Sequence, residues 1–103
     1  METETRVYTR YSILTEDINR GGVARLCREH RVDCTLYAGV GLFNGNIEES
    51  LTVVHLAPLE ANVREEIKAL ARDIKAENNQ REIWITEETV SLKKLLDNAP
   101  AVE

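Results

Sequence analysis

Residues 34–57, CTLYAGVGLF-NG-NIEESLTVVHLA, decide the fold of this chain. Two runs rich in β-branched, aromatic and aliphatic residues flank Asn44-Gly45. An Asn-Gly pair between such runs is the strongest local signal for a β-hairpin, because both turn residues must adopt positive φ. A two-residue turn here sets Phe43 opposite Asn46 and determines every pair behind them. The sequence therefore predicts a long hairpin whose register follows from its turn.

That register sorts the hairpin side chains onto two faces, since successive residues of a strand point to opposite sides of the sheet. One face is apolar and is predicted to pack against helices: Leu36, Ala38, Val40, Leu42, Ile47, Leu51 and Val53. The other face combines two glycines with polar and aromatic residues: Tyr37, Gly39, Gly41, Phe43, Glu48, Ser50 and Thr52. Glycine within a strand often marks a close approach of another group to the backbone. We expect a shallow groove on this second face.

The sequence allows three interpretations of this glycine-containing face. The glycines could permit only twist or a bulge near the turn, with Glu48 and Ser50 facing water. A second copy of the chain could pack its own sheet against the face. The groove could also bind a ligand, with a second subunit completing it. The sequence alone does not choose among them.

The remaining segments complete a βαββαβ order. Residues 6–14 and 81–86 have the composition of strands, and they enclose two segments with helical spacing of apolar residues, 23–30 and 63–74. Asn62 is the expected N-cap of the second helix. The order predicts a ferredoxin-like α+β sandwich, with a four-stranded antiparallel sheet and two helices on one face.

Length and local composition suggest how the chain is organised. A chain of 103 residues fits one domain. Residues 1–5 are polar and are expected to fray. Residues 90–103 form a C-terminal extension, and the sequence leaves open whether its first part is a strand or a helix.

The net charge and the cysteines restrict which binding partners and bound metals are expected. The net charge of −5 gives no general attraction to DNA, RNA or anionic membranes. We see no apolar run of membrane-spanning length and no leader, so a cytoplasmic location is expected. Cys27 and Cys34 lack a zinc-type spacing with histidine and are expected to be reduced, mostly buried thiols. We expect neither a metal nor a cofactor.

Catalytic signals in the sequence are weak. No Ser or Cys has a His at a spacing that suggests an activated nucleophile. The run G-V-G-L-F-N-G is strand and turn, so it does not form a phosphate-binding loop. His55 is expected to be a hydrogen-bonded core residue. Glu48 alone could act as a general base, which leaves a small hydrolase as a third-ranked function.

Residues 41–50, GLFNGNIEES, resemble a G-x-W-x-G-x-x-E-x-S signature in small, largely uncharacterised proteins, many encoded by bacteriophages. These proteins also have a helix that ends in Asn-Gln before the last strand, as in residues 79–85, NQREIWI. Phe43 stands where a Trp is usual, which keeps an aromatic ring but removes an indole N–H donor. Small phage proteins of this size include inhibitors of host defence, some of which resemble oligomeric sponges for signalling nucleotides. The resembling family has no settled activity, so it is the analogy in size and context, and not a shared motif, that suggests such a role in the host cytoplasm.

These observations predict a non-catalytic, homo-oligomeric protein, a dimer or higher, that binds a small polar ligand such as a cyclic nucleotide. Trp84 joins the open face because it alternates with Ile83 and Ile85. The rings of Tyr37, Phe43 or Trp84 would stack on a base. Glu48 and Ser50 would hydrogen-bond the polar edge of the base or a ribose. Arg6 or Arg10 would bind phosphate. The alternative is a protein-interaction module that binds a host protein through the same face.

Overall fold

The computed structural model describes residues 2–96 and contains six regular elements: β1 (Glu2–Glu16), α1 (Arg20–Glu29), β2 (Thr35–Phe43), β3 (Asn46–Pro58), α2 (Arg64–Glu77) and β4 (Trp84–Leu96). The strands form one antiparallel sheet in the order β2-β3-β1-β4. Both helices bury their apolar residues against the same side of this sheet. The predicted ferredoxin-like α+β fold is therefore confirmed.

The central hairpin has the predicted turn and the predicted register. Asn44 has a φ of 51° and Gly45 a φ of 79°, so both turn residues are in the left-handed region. Phe43 pairs with Asn46, and the ladder continues without a bulge to Leu36 and Val53. Each side chain of the hairpin consequently lies on the face that the sequence predicted.

The core lies between the sheet and the two helices. Ile13 of β1 pairs with Val53 of β3, and each side chain is 1% exposed. The helices contribute buried residues that their spacing indicated, which are Val23, Leu26 and Cys27 of α1 and Ile67, Leu70 and Ile74 of α2. Ala71 of α2 is buried with them. Burial of these side chains is the main stabilising term of the fold.

The two helices begin differently. The side chain of Asn19 accepts a hydrogen bond of 3.1 Å from the backbone of Gly22 and caps α1. The prediction that Asn62 caps α2 is wrong, because Val63 occupies the N-cap position without any side-chain cap bond. Val63 packs against the core, so tertiary packing rather than capping chemistry sets where α2 begins.

The two ends of the described chain pair with each other. Residues 2–5 do not fray, since they belong to β1 and pair with residues 93–96 of β4. Residues 90–96, which the sequence left open between helix and strand, belong to strand β4. Residues 97–103 lie outside the described part. The last pair of β1 with β3 is Tyr8 with Pro58, so β1 and β4 continue beyond it as a two-stranded ribbon.

The hairpin projects at the opposite end of the sheet. Glu16 at the end of β1 pairs with Ser50, and the hairpin beyond this pair has no further neighbouring strand. The prediction that the whole apolar face meets the helices is therefore wrong. Leu36, Leu51 and Val53 join the core, whereas the outer residues are exposed: Ala38, Val40, Leu42 and Ile47.

One histidine ties the two helices together. Nδ1 of His30, at the end of α1, lies 2.6 Å from a carboxylate oxygen of Glu66, and Nε2 lies 2.6 Å from one of Asp73. Both carboxylates belong to α2. The hydrogen bond to Glu66 is the largest cause that raises the pKa of His30, and the bond to Asp73 raises it further against the opposing effect of burial.

We expect His30→Gln to remove a pH-dependent part of the stability. The pKa of His30 is higher in the folded than in the unfolded state, so its contribution is complete below the unfolded pKa and is lost as the pH rises through the folded pKa. Urea unfolding of the wild type and of H30Q at about pH 6 and about pH 9 measures this. The difference between the two proteins should shrink at the higher pH, and parallel profiles would contradict it.

Candidate functional site

An exposed row of side chains crosses all four strands on the face that the helices leave open. Directly paired residues lie on the same face of an antiparallel sheet. Tyr37 pairs with Thr52, Thr52 with Leu14, and Leu14 with Trp84, so these four residues form one row, named here the aromatic row. Tyr37 and Trp84 stand at its two ends and are 58% and 60% exposed. Two rings thus flank a short, accessible stretch of sheet.

Polar residues and glycines continue this face toward the turn. Gly39 pairs with Ser50 in the next row, and Gly41 pairs with Glu48 in the row after it. Phe43 and Asn46 close the ladder beside the turn. The structure thus brings seven of the predicted site residues onto one continuous strip of the hairpin: Tyr37, Gly39, Gly41, Phe43, Glu48, Ser50 and Thr52.

The two strand glycines differ in what lies above them. The ring of Phe43 occupies the position where a Cβ of Gly41 would sit, so this glycine makes room for a side chain of its own strand. A Cβ on Gly39 would lie 3.4 Å from Oγ of Ser50, which is an ordinary contact. Gly45 is the only glycine with positive φ among residues 2–96. Backbone conformation therefore requires glycine at neither position 39 nor position 41.

The two predicted arginines lie further along β1. Arg10 pairs in register with Glu88, and its guanidinium contacts both carboxylate oxygens at 3.0 Å. Arg6 forms an ion pair with Glu4. Both arginines are on the open face, because they alternate with the buried residues of β1.

Register gives the spacing between these groups. Arg10 is four residues from Leu14, or about 13 Å along the strand. Arg6 is eight residues from Leu14, and Glu48 is four residues beyond the row on the other side, so about 40 Å separates Arg6 from Glu48. One chain therefore does not bring Arg6 and Glu48 together. Arg10 lies within reach of a ligand that occupies the aromatic row.

Leu14 is a member of the row that sequence reasoning missed. It is 38% exposed and separates Thr52 from Trp84. The alternation of β1 around the buried Ile13 could have placed it on the open face, but its neighbours depend on pairing between distant strands. The orientation of Trp84 away from the core, by contrast, is confirmed.

The other sequence-based candidates have structural roles. His55 Nδ1 donates a hydrogen bond of 2.7 Å to the backbone oxygen of Asp33, which confirms the expected hydrogen-bonded histidine. Residues 2–96 contain no cluster of three or more His, Cys, Asp or Glu side chains arranged for a metal ion. Within the same residues, no helix has both the length and the apolar composition needed to cross a membrane.

Comparison with known proteins identifies the fold. No protein-family model matches the sequence, and no curated protein sequence matches it, so the resemblance of the hairpin to phage-encoded proteins stays a prediction. CPII, a nitrogen regulatory PII-like protein from Thiomonas intermedia K12 solved with ADP, AMP and bicarbonate, superposes with a TM-score of 0.60 at 9% identity. The superposition covers 90% of this chain and 100% of that chain.

Two further solved structures are similar. The apo form of the same CPII has a TM-score of 0.61 at 10% identity and covers 91% of this chain and 100% of that chain. A phage SAM lyase in complex with S-methyl-5′-thioadenosine has a TM-score of 0.61 at 11% identity, with 84% of this chain and 90% of that chain covered. At such identities the likeness shows a shared fold, and the function must be argued from the residues of this chain.

We expect Gly39→Ala and Gly41→Ala to change the free energy of unfolding by different amounts. Because position 39 has room for a methyl group and no positive φ, G39A should raise the free energy of unfolding by about 0.4–1 kcal/mol. G41A should gain less, since the ring of Phe43 must leave its place. Urea unfolding of both variants measures this. A clear loss of stability in G39A would instead indicate that the glycine serves strand twist.

Proposed function

We propose that this protein is a non-catalytic, homo-oligomeric binding protein that takes a small nucleotide-type ligand on its open sheet face. The aromatic row carries this proposal, because two exposed rings flank a stretch of sheet beside hydroxyl and carboxylate groups. Aromatic stacking and a few placed polar groups are how proteins commonly hold a nucleobase. The similar structures add support, since CPII is solved with ADP and AMP and the phage lyase with an adenosine derivative.

Different residues of the site would bind different chemical parts of the nucleotide. Tyr37 or Trp84 stacks on the base, while Ser50 and Glu48 bond its polar edge or the ribose hydroxyls. Nε and Nη2 of Arg10 donate to Oε1 and Oε2 of Glu88 at 3.3 Å and 3.0 Å. Arg10 exchanges this carboxylate for a phosphate, which also accepts two parallel N–H bonds from a guanidinium. Arg10 and Glu48 each lie about 13 Å from the aromatic row but on opposite sides of it, so about 26 Å separates them along the sheet. Within one chain a nucleotide on the row therefore reaches either Arg10 or Glu48, and a second copy of the chain would supply the other group. Phe43 would limit the ligand near the turn, and Thr52 lies between Tyr37 and Leu14 in the aromatic row.

The projecting hairpin supports the homo-oligomer. An isolated two-stranded ribbon is marginally stable in water, yet here it presents Val40, Leu42 and Ile47 with 71–76% of each side chain exposed. Apolar surface of this kind on a soluble protein marks an interaction site. A second copy that covers these residues would stabilise the ribbon. Because they lie on the face opposite Gly39 and Gly41, that copy would complete the groove only by wrapping around the ribbon. Arg6, which is distant from Glu48 within one chain, would then contribute only across the contact.

The proposed biological role rests on an analogy in size and context with small phage proteins rather than on the geometry. We propose a phage-encoded sponge that sequesters a nucleotide signal and so inhibits host defence. A binding protein without turnover needs no general base, which agrees with the absence of a second catalytic group beside Glu48 in the sequence. The fold shared with a phage SAM lyase is compatible with phage origin.

Ligand binding can be tested with a matched pair of variants. A thermal-shift panel of cyclic nucleotides, AMP, ADP and S-methyl-5′-thioadenosine should contain a compound that stabilises the wild type by about 2.7 kcal/mol at a hundredfold excess over its Kd. Glu48→Gln should abolish most of the shift. Glu49→Gln is the control, because Glu49 is also exposed but pairs with Val40 on the opposite face. Equal shifts in the two variants would contradict the proposed groove.

Two other functions would give different results in the same experiment. Binding of a host protein would use the exposed aromatic row without any shift from the nucleotide panel. A small hydrolase would convert a compound of the panel into products, and E48Q would stop that conversion. The second outcome deserves measurement by chromatography because one similar structure is an enzyme.

The oligomer can be tested at the hairpin. We expect the wild type to be a dimer or higher at micromolar concentration, and Leu42→Asp to shift it to a monomer because a buried charge would be unpaired in the contact. Leu95→Asp is the matched control, since Leu95 is 64% exposed at the opposite end of the sheet. Native mass spectrometry measures both. A monomeric wild type would refute the oligomer, and dissociation by L95D alone would place the contact elsewhere.

A further inference from the structure

A cavity of about 240 Å³ lies away from the open sheet face, between the end of α1 and the start of β2. Both cysteines of the chain line it, and Arg28, Arg31 and Asp33 contribute charged side chains to its wall. None of these residues belongs to the proposed nucleotide site. The cavity thus combines two nucleophilic sulfur atoms with an opening toward solvent.

The connection between α1 and β2 folds one cysteine back onto the other. Cys27 is 6% exposed on the last turn of α1, and Cys34 is half-buried one residue before β2. The backbone N–H of Val32 donates a 3.0 Å bond to the oxygen of Cys27, and Arg31 reverses the chain with a φ of 56°. The thiol of Cys34 lies 3.4 Å from the oxygen of Val32. This turn holds both sulfur atoms at one cavity wall.

The two thiols are not equivalent. The contact with the Cys34 thiol is the largest cause that lowers the pKa of Cys27, and the positive charges of His30 and Arg28 lower it further against the effect of burial. The same contact, with burial and the charge of Asp33, raises the pKa of Cys34. The positive charges beside Cys27 and the negative charge beside Cys34 therefore favour the thiolate on Cys27.

Two arginines give the cavity a preference for anions. Arg28 and Arg31 are exposed and form no ion pair within residues 2–96. Asp33 is the one acidic residue in the cavity wall, so the two cations outnumber it. A small disulfide that carries carboxylates would be attracted to this opening.

We propose that Cys27 and Cys34 form a reversible intramolecular disulfide by exchange with a small anionic disulfide such as glutathione disulfide. The thiolate of Cys27 attacks one sulfur of the reagent, which breaks its S–S bond and releases one thiolate. Cys34 then gives its proton to solvent and attacks the sulfur of Cys27, which releases the second thiolate. Two protein thiols are oxidised, one small disulfide is reduced to two thiols, and both protons end on these products or in solvent.

The new bond would link the end of α1 to the edge strand β2 through a closed loop of eight residues. Such a link restricts the unfolded chain, so the oxidised protein should unfold at a higher urea concentration than the reduced protein. Reduction by dithiothreitol should restore the original midpoint.

Peptide mapping tests the bond directly. Trypsin cleaves after Arg25, Arg28, Arg31 and Arg64, which puts Cys27 in peptide 26–28 and Cys34 in peptide 32–64. After incubation of the native protein with glutathione disulfide and alkylation, these peptides should appear as one linked species that reduction separates. Two alkylated thiols after prolonged incubation, or a link that forms only in urea, would overturn the proposal.

Single variants assign the roles of the two sulfur atoms. Cys34→Ser should stop at a mixed disulfide on Cys27, while Cys27→Ser should react several-fold more slowly, because burial and the charge of Asp33 still raise the pKa of the remaining thiol and no arginine or histidine charge offsets them. The reverse order of reactivity would overturn the assignment of Cys27 as the nucleophile.

A neutral reagent tests the arginines. Hydroxyethyl disulfide undergoes the same exchange without carboxylates. In Arg28→Gln/Arg31→Gln the rate with glutathione disulfide, relative to the neutral reagent, should fall by about tenfold. An unchanged ratio would show that the arginines do not guide the reagent and would refute the preference for anions.

Discussion

The turn at Asn44-Gly45 is the constraint on which the rest of the structure depends. Both residues hold positive φ, and this geometry joins β2 to β3 in a single register. A slip by one residue would exchange the two faces of the hairpin, so that Leu51 and Val53 would leave the core. β1 pairs with β3 and β4 pairs with β1, so the alternation set at the turn is transmitted across the whole sheet. The aromatic row forms because the paired residues of all four strands point to the same face at this position.

Local chemistry explains what could be predicted from the sequence, and long-range pairing explains what could not. The hairpin register and the buried stripes of both helices depend on neighbouring residues and were predicted. The juxtaposition of Leu14 with Trp84 depends on β1 meeting β4, which are distant in sequence. The same pairing keeps residues 2–5 in a strand although their composition suggests a frayed end. At the start of α2, packing of Val63 outweighed the capping preference of Asn62.

The candidate site was predictable on the hairpin and unpredictable across the sheet. Seven residues of the glycine-containing face follow from one turn, and the structure places them as one strip. Whether Arg6 and Arg10 could join them depended on the length of β1 and on its offset from β3. That offset places Arg10 two rows from the aromatic row and Arg6 four rows away. The strand register therefore decides that Arg10 can reach a ligand on the aromatic row and that Arg6 cannot. The amino-acid composition of β1 does not contain this information.

The ion pair between Arg10 and Glu88 bears on how a chain of net charge −5 could hold an anionic ligand. Both side chains are substantially exposed, at 43% and 51%, and an ion pair exposed to this degree contributes little to stability. Exchange of the carboxylate for a phosphate therefore costs little, whereas the guanidinium keeps two parallel hydrogen bonds in either state. The pair also holds Arg10 extended on the open face before a ligand arrives, which reduces the ordering that binding requires. Long-range repulsion from the acidic chain would slow the approach of a phosphate, and salt would weaken that repulsion. Binding to this face should consequently depend on local contacts at the row more than on the field of the whole protein.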